Sequence, residues 1–297
     1  MNTSSNTNTS SDINTTIITV INNNKINDKD EKYIINLILT NNKNIYNRLN
    51  DNEINNIIND VNTNTDNKYI NLKCIINSLK STYITEKIMT GYINLKNNVQ
   101  KIIKDYNKHD EIHDILYLSK KYDNSPFTIL RVIYSKRCSK EKIKQIFKNP
   151  SILNKYDYAQ FMLALENDYY GIFHEIQTTE SIKFETKIEK FLTEKSVNFL
   201  TQNALSEEQI NKYGYAYSTP DFLIKSNLVI NNVKINWIDA KNFYGANMHF
   251  IKKKIKKQIE KYINNYGSGC IIFSCGFNEK IKFDDTLIIC YEDLMKI

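Results

Sequence analysis

The stretch PDFLIKSNLVINNVKINWIDAK, residues 220–241, decides the fold of the C-terminal part of the chain. Residues 220–230 form an apolar run that predicts a strand, and Asn231-Asn232 predicts a turn. In residues 233–241 apolar side chains alternate with polar ones, which predicts a second strand. The stretch is therefore expected to fold as a β-hairpin.

Three charged side chains stand at one end of this hairpin. Asp239 and Lys241 are two apart on the second strand, so they share one side and continue the apolar face of Val233, Ile235 and Trp237. Asp221 begins the first strand, so the three charges should meet. Two carboxylates ~4 Å apart repel by about 4 kcal/mol at an effective dielectric of 20, and a divalent cation such as Mg²⁺ turns that repulsion into binding. The alternative is a surface hairpin with an ordinary Asp/Lys pair.

The turn length places a condition on this site. With a simple two-residue turn at Asn231-Asn232, Asp221 would pair with Asn242 and face away from Asp239. We therefore predict an odd-length loop or a bulge within the hairpin.

Helices and further strands are predicted on both sides of the hairpin. Residues 183–195 form an amphipathic pattern that carries Glu185, a third carboxylate within reach of the cluster. A Lys-rich helix over about residues 247–264 places Gln258 and Tyr262 on one face. Residues 270–273 and 287–290 are typical of buried strands. The predicted order is α-β-β-α-β-β.

The order Glu, Pro-Asp, Asp-x-Lys, Gln-x-x-x-Tyr resembles the PD-(D/E)XK nuclease superfamily. Within it, the chain resembles the codanin-interacting nuclease, or "TPD" domain, family. The motifs that carry this resemblance are Gly214-Tyr215, Ser218-Thr219-Pro220-Asp221-Phe222, Trp237-Ile238-Asp239-Ala240-Lys241, Gln258, Tyr262, Tyr266-Gly267-Ser268-Gly269 and Gly276-Phe277. Two departures are Asp239, where the family usually has Glu, and the absence of an acidic residue after Gly245.

The resemblance implies a restriction-endonuclease-like fold and Mg²⁺- or Mn²⁺-dependent phosphodiester hydrolysis, with DNA the expected substrate. It implies a metal held by Glu185, Asp221 and Asp239. Lys241 would handle water or phosphate, with Gln258 and Tyr262 in support. It also implies a codanin-like protein partner.

The region before this domain is predicted to be helical, because only Gly91 and Gly171 fall before residue 200. Within residues 113–137, a helix ending near Tyr122 is followed by Ser125-Pro126, a favourable N-cap and first position for the next helix. Two helices so joined form a helix-turn-helix, or an ordinary αα-corner. The expected nucleic-acid contacts are Arg131, Lys136 and Arg137 here, and Lys253 and Lys257 in the Lys-rich helix.

The net charge of +7 favours a polyanionic partner. Five cysteines without a C-x-x-C pair predict reduced thiols and an intracellular protein of the nucleus or cytoplasm, and no apolar run is long enough to cross a membrane. The Asn/Thr/Ser-rich residues 1–28 predict a disordered tail, in which residues 17–21 are the one apolar interruption.

The expected fold is therefore α+β: a disordered tail over 1–28, an all-helical helix-turn-helix region over 29–178 and a PD-(D/E)XK nuclease-like domain over 179–297. Two other functions stay open. One is a catalytically silent scaffold that keeps the nuclease fold and binds nucleic acid or a codanin-type partner. The other is a transcription regulator acting through the helix-turn-helix.

Overall fold

The structure is a computed structural model that describes residues 15–42, 44–110, 112–169 and 173–297. Residues 1–14 of the predicted tail lie outside this range. None of the helices in the described ranges combines the length and apolar character that crossing a membrane would need.

The middle of the chain is helical, as the scarcity of glycine predicts. Its eight α-helices in the described ranges are α1 Asp28–Asn41, α2 Asp51–Asn64, α3 Leu72–Asn97, α4 Val99–Tyr106, α5 Ile115–Lys121, α6 Pro126–Tyr134, α7 Lys140–Lys148 and α8 Lys155–Asn167. Several are capped by the side chain in front of them, as Asn50 caps α2 with a full capping box.

The C-terminal part is a mixed α/β unit, so the chain as a whole is α+β. Its elements are α9 Phe173–Glu194, β3 Phe199–Thr201, α10 Gln202–Tyr213, β4 Phe222–Ile230, β5 Val233–Lys241, α11 His249–Tyr266, β6 Gly269–Phe273, β7 Phe277–Asn278, β8 Thr286–Cys290 and α12 Tyr291–Leu294. Two short strands, β1 Thr15–Ile18 and β2 Lys25–Ile26, precede the helical region. The main sheet has the order β1-β4-β5-β6-β8, and β3 also pairs with β4. The predicted boundary between residues 178 and 179 falls inside α9.

The hairpin of β4 and β5 contains the predicted irregularity. Ile230 pairs with Val233 across a tight turn in which Asn231 and Asn232 both have positive φ. Further along, Phe222 pairs with Ile238, and the register shifts between Leu223 and Leu228. The prediction of a bulge is confirmed.

The two faces of the sheet bury separate cores. One face packs with Ile188 and Leu192 of α9, and the other with Ile255 and Ile259 of α11. The expected single apolar face of β5 is wrong, because Val233 and Ile235 pack on the α9 side whereas Trp237 packs on the α11 side. The irregular pairing with β4 accounts for this change, since a bulge re-aims the side chains beside it.

Part of the predicted disordered tail is ordered. From residue 15 onward that prediction is wrong, because β1 pairs in parallel with β4 and buries Ile18. Val20 donates its N–H to Asn231 Oδ1 at 2.7 Å, and the Asp293 carboxylate accepts from the N–H groups of Asn23 and Asn24 at 2.9 Å. The tail contributes main-chain N–H groups to these hydrogen bonds, and such groups are present whatever the side chains are, so the polar composition gave no sign of them.

A disulfide joins the helical region to the α/β unit. It links Cys74 of α3 to Cys275, which follows β6, across 201 residues of sequence. The prediction of reduced thiols is wrong for this pair, while Cys138, Cys270 and Cys290 are free. Two cysteines so far apart in sequence become neighbours only through tertiary packing, which spacing rules cannot reveal.

One lysine lies buried in the helical region. Lys80 of α3 is fully buried, its Nζ has no hydrogen-bond partner in the described part of the chain, and the Tyr169 ring lies 6.0 Å away. Burial lowers the pKa of Lys80 to about 8, because removal from water disfavours the charged form. The ammonium therefore destabilises the fold at neutral pH.

We predict that Lys80→Met raises the free energy of unfolding at pH 7 by roughly 2 kcal/mol. A depressed lysine pKa means that the penalty is present below pH 8 and disappears as the pH rises towards the ordinary value of 10.5. Urea unfolding at pH 7 and pH 10 should show the gain shrinking at the higher pH. Lys73→Met, at an exposed lysine paired with Asp51, is the control and should give no gain. An equal gain at both pH values would contradict the prediction.

Candidate active site

Asp221 and Asp239 face each other across the end of the β4–β5 hairpin. Asp221 directly precedes β4, and the pairing of Phe222 with Ile238 sets it opposite Asp239 on the same face of the sheet. Asp221 Oδ2 accepts a hydrogen bond of 2.7 Å from the Ala240 N–H, which fixes this carboxylate against β5. Asp239 is 1% exposed. The two acids therefore meet as the sequence predicts.

Lys241, Gln258 and Tyr262 complete a connected polar group around Asp239. Lys241 Nζ lies 2.5 Å from Asp239 Oδ2 and donates to Gln258 Oε1 at 3.0 Å. Gln258 Nε2 donates to the Tyr262 hydroxyl at 2.9 Å and contacts Asp239 Oδ1 at 3.3 Å. Tyr262 in turn donates to the Thr219 carbonyl at 3.3 Å. The chain of contacts links β5, α11 and the loop before β4.

The electrostatics of the acids reflect their burial and their closeness. Burial, then repulsion by Asp239, raises the pKa of Asp221 to about 7. Burial also raises the pKa of Asp239, and the Lys241 ammonium opposes that rise. Repulsion of this kind requires that the two carboxylates lie close together. Carboxyl groups with shifted pKa values are common at functional sites.

Glu185 lies at the margin of the group. It stands on α9 and is half-buried, and both burial and the negative charge of Asp239 raise its pKa. Glu185 therefore lies close enough to Asp221 and Asp239 for electrostatic repulsion between the carboxylates. The described residues, however, contain no set of three or more His, Cys, Asp or Glu side chains close enough together to hold a metal ion.

One buried carboxylate oxygen at the site is held by an ion pair rather than by a hydrogen bond. Asp239 Oδ2 is buried and accepts no hydrogen bond from the described part of the chain, although Lys241 Nζ is in contact with it. Burying a carboxylate is costly, and a hard divalent cation is one ligand that would stabilise this carboxylate further. Asp221 and Asp239 could thus supply two carboxylate ligands to one metal ion. Glu185 would have to move closer to the two acids to supply a third ligand.

The predicted helix-turn-helix exists as two packed helices. Between α5 and α6, Ser125 caps α6 by accepting from the Thr128 N–H, and Pro126 is the first helical residue, as expected. Seven of the nine residues of α6 are buried, which leaves only Thr128 and Arg131 to face outward. The packing therefore favours the αα-corner alternative over a helix that enters a DNA groove.

The predicted nucleic-acid contacts fall in two places. Arg131 lies over the Phe147 ring at 4.0 Å, Arg137 pairs with Asp157 at 3.3 Å, and Lys136 is exposed. Lys253 and Lys257 are exposed on α11. Lys257 also lines a cavity that Gln258 and Tyr262 line.

Several residues near the acids have no role predicted from the sequence, although Tyr215, Ser218 and Thr219 stand in the motifs of the family resemblance. These are Gln209, Ser218 and Thr219, together with the exposed tyrosines Tyr213, Tyr215 and Tyr217. The tyrosines carried a signal, since they occur at every second position around Gly214 and Ala216. No sequence pattern marks Gln209, because it acts only through its hydrogen bonds to the loop at Tyr217 and Ser218.

The comparisons with known proteins concern the same part of the chain. Residues 155–294 match the family described as "Protein of unknown function TPD sequence-motif", and this range contains Thr219-Pro220-Asp221 and all six predicted catalytic residues. An uncharacterized protein of Acanthamoeba polyphaga mimivirus is 28% identical over 178 residues, which are 58% of this chain and 62% of that protein. The chain thus spans less than two thirds of this relative. No solved structure matches.

The raised pKa of Asp221 gives a test of the acid cluster without metal. Because the folded state favours the protonated carboxyl, Asp221 costs nothing below about pH 4, its destabilising effect grows as the pH rises from about 4 to 7, and the full cost is present above 7. We predict that Asp221→Asn raises the free energy of unfolding by roughly 2 kcal/mol at pH 8, and by little at pH 4.5. Urea unfolding in EDTA measures both values.

Asp28→Asn is the matched control. Hydrogen bonds from Lys32, Asn247 and Lys280 hold the pKa of Asp28 well below its usual range, so its removal should lower stability at pH 8. A rise in the free energy of unfolding at pH 8 for Asp221→Asn, together with a fall for Asp28→Asn, would support repulsion between the two buried acids of the site. A loss of stability in Asp221→Asn at pH 8 would mean that the carboxylate is stabilised instead.

Proposed function

We propose that the α/β unit is a metal-dependent nuclease domain of the PD-(D/E)XK type, which hydrolyses phosphodiester bonds in nucleic acid. The single observation that carries the proposal is the buried pair Asp221 and Asp239, with the ammonium of Lys241 in contact with Asp239 Oδ2. Acids that repel each other in a buried position are expected where a cation binds.

The topology supports the same class of enzyme. An antiparallel hairpin of β4 and β5 continues through α11 into β6, which pairs with β5 in parallel. The acids lie at the ends of the hairpin strands, and α9 carries Glu185, a third carboxylate whose pKa the charge of Asp239 raises. This is the order of elements that the PD-(D/E)XK resemblance implies.

The residues divide the chemistry among them. Asp221 and Asp239 would hold Mg²⁺ or Mn²⁺, with Glu185 as a third ligand, and the ion would supply Lewis-acid activation of water and of the scissile phosphate. Lys241 is positioned by Gln258 Oε1, so its ammonium can orient the attacking water or neutralise a phosphate oxygen. Tyr262 fixes Gln258 and ties α11 to the loop before β4.

One observation favours the alternative of a catalytically silent scaffold. Lys241 Nζ already contacts Asp239 at 2.5 Å and so partly satisfies its charge, and no third acid of the described residues completes a metal group. A scaffold of this kind would bind nucleic acid, or a codanin-type protein partner, without turnover. Cleavage assays separate the two functions.

The test is incubation of the full chain with single-stranded, duplex, flap and junction forms of DNA and RNA. We predict cleavage in Mg²⁺ or Mn²⁺, none in EDTA, and a loss of about 100-fold or more in Asp239→Ala and Lys241→Ala. Asp60→Ala and Lys68→Ala, at exposed positions of the helical region, are matched controls that should cleave like the parent chain.

Thermal unfolding of each variant must show that it is folded. Absence of metal-dependent cleavage on every substrate would favour the scaffold, and cleavage that survives Asp239→Ala would place catalysis elsewhere.

A further inference from the structure

Three tyrosines form an exposed row beside the acids, which we call the tyrosine strip: Tyr213, Tyr215 and Tyr217. Their exposed fractions are 49%, 65% and 41%. The ring centroids of Tyr213 and Tyr217 are 5.4 Å apart, and those of Tyr215 and Tyr217 are 6.4 Å apart, with the rings edge to face. Large aromatic rings clustered in solvent mark a contact surface, because they leave apolar area unburied.

The loop that carries the strip is held in place by Gln209. This side chain is 4% exposed, and its Oε1 accepts from the N–H groups of Tyr217 and Ser218 at 2.8 and 3.1 Å. Its Nε2 donates to the Ser218 carbonyl at 2.8 Å, and the Tyr266 hydroxyl donates to the same carbonyl at 2.6 Å. The loop that carries the tyrosines is therefore already ordered. Binding of a ligand to them costs little conformational entropy of the loop.

A basic cavity of about 310 Å³ adjoins the strip, and we call it the lysine pocket. Lys254, Lys257 and Lys261, spaced along one face of α11, line it, and none of them forms an ion pair with a described acid. Tyr217 and Ser218 line the opposite side. The Ser218 side chain is 3% exposed, and its Oγ has no hydrogen-bond partner in the described ranges. Three unpaired ammonium groups and a spare buried hydroxyl suit a phosphate.

The lysine pocket is continuous with the candidate active site. Gln258 and Tyr262 line the pocket and also belong to the group around Asp239. Tyr217 precedes Asp221 by four residues, so the strip ends within about 14 Å of the acids. A nucleic-acid strand that crosses the acids would therefore reach the pocket and the strip with its next nucleotides.

We propose that the lysine pocket and the tyrosine strip together bind unpaired nucleotides next to the scissile bond. The inference rests on the proposed nuclease function and names its substrate class: single-stranded nucleic acid, or an unpaired flap or end. The lysines neutralise backbone phosphates, and the tyrosine rings stack on bases. Duplex bases are already stacked on one another and cannot reach the rings without unpairing, so the strip selects single strands.

The charge of the neighbouring pocket favours nucleic acid over an apolar partner for the strip. Lys212 Nζ lies over the Tyr213 ring at 5.1 Å, which adds a further cation at the outer end. An apolar protein surface would gain nothing from four ammonium groups beside the rings, and a second copy of this chain, with its net charge of +7, would be repelled by them. Self-association through the strip is therefore an outcome that contradicts the inference.

The test is the affinity of the full chain for a fluorescent single-stranded oligonucleotide and for its duplex, measured by anisotropy in EDTA. We predict tighter binding of the single strand. We also predict that the affinity for the single strand falls about 10-fold in Tyr215→Ala and further in Tyr215→Ala/Tyr217→Ala, and that it is retained in Tyr215→Phe, which keeps the ring.

Lys254→Ala/Lys257→Ala should weaken binding of the single strand and reduce the salt dependence of that binding. Tyr92→Ala and Tyr158→Ala, at exposed tyrosines of α3 and α8, are controls expected to bind normally.

The outcomes separate this inference from the proposed function. Because binding is measured without metal, loss of affinity in the tyrosine variants supports the inference even where no cleavage is found. Undiminished single-strand binding in the folded double variant would overturn it, even if the chain cleaves nucleic acid. Equal preference for duplex, or a dimer that dissociates in Tyr215→Ala while nucleic-acid binding is unchanged, would also overturn it.

Discussion

The repulsion between Asp221 and Asp239 is the constraint on which the C-terminal part of the structure depends. Opposite positions in the hairpin bring the two carboxyls together, and burial makes their charges expensive. The surrounding elements offset that cost in part, through the Ala240 N–H, the Lys241 ammonium and the amide of Gln258. A fold selected only for stability would place apolar side chains here, so the arrangement is explained best by a ligand that needs the acids.

The bulge in β4 shows how this constraint shapes the chain. Without the register shift between Leu223 and Leu228, the tight turn at Asn231 and Asn232 would direct Asp221 away from its partner. Behind the acids, Trp237 donates its indole N–H to the Gly267 carbonyl at 2.8 Å, and a Cβ on Gly269 would collide with the Trp237 ring. The close approach of β6 to β5 thus requires glycine at that position, and it anchors the strand that carries Asp239 and Lys241.

The features that depend on local periodicity could be predicted from the sequence. The features that depend on contacts between distant parts of the chain could not. The alternation in β5, the Asn231-Asn232 turn and the helical spacing of Gln258 and Tyr262 were visible, and together they predicted the hairpin, its bulge and the convergence at Asp239. The pairing of β1 with β4 and the bond between Cys74 and Cys275 were not visible, because main-chain pairing and contacts 201 residues apart leave no local pattern. The helix-turn-helix was predicted correctly as two helices, but only the packed structure shows how little of α6 faces solvent.

The proposed function requires that Asp221 and Asp239 together form a divalent-cation site. Calorimetric titration of Mn²⁺ into the full chain at pH 7 tests it most directly. We predict one saturable site that is lost in Asp239→Asn and weakened in Asp221→Asn, but kept in Asp284→Asn, at an exposed acid of the loop before β8. Because the carboxyl of Asp221 has a pKa of about 7, binding should also release protons, so the measured heat should change with the ionisation enthalpy of the buffer. No saturable binding, or binding that Asp239→Asn leaves intact, would contradict the account.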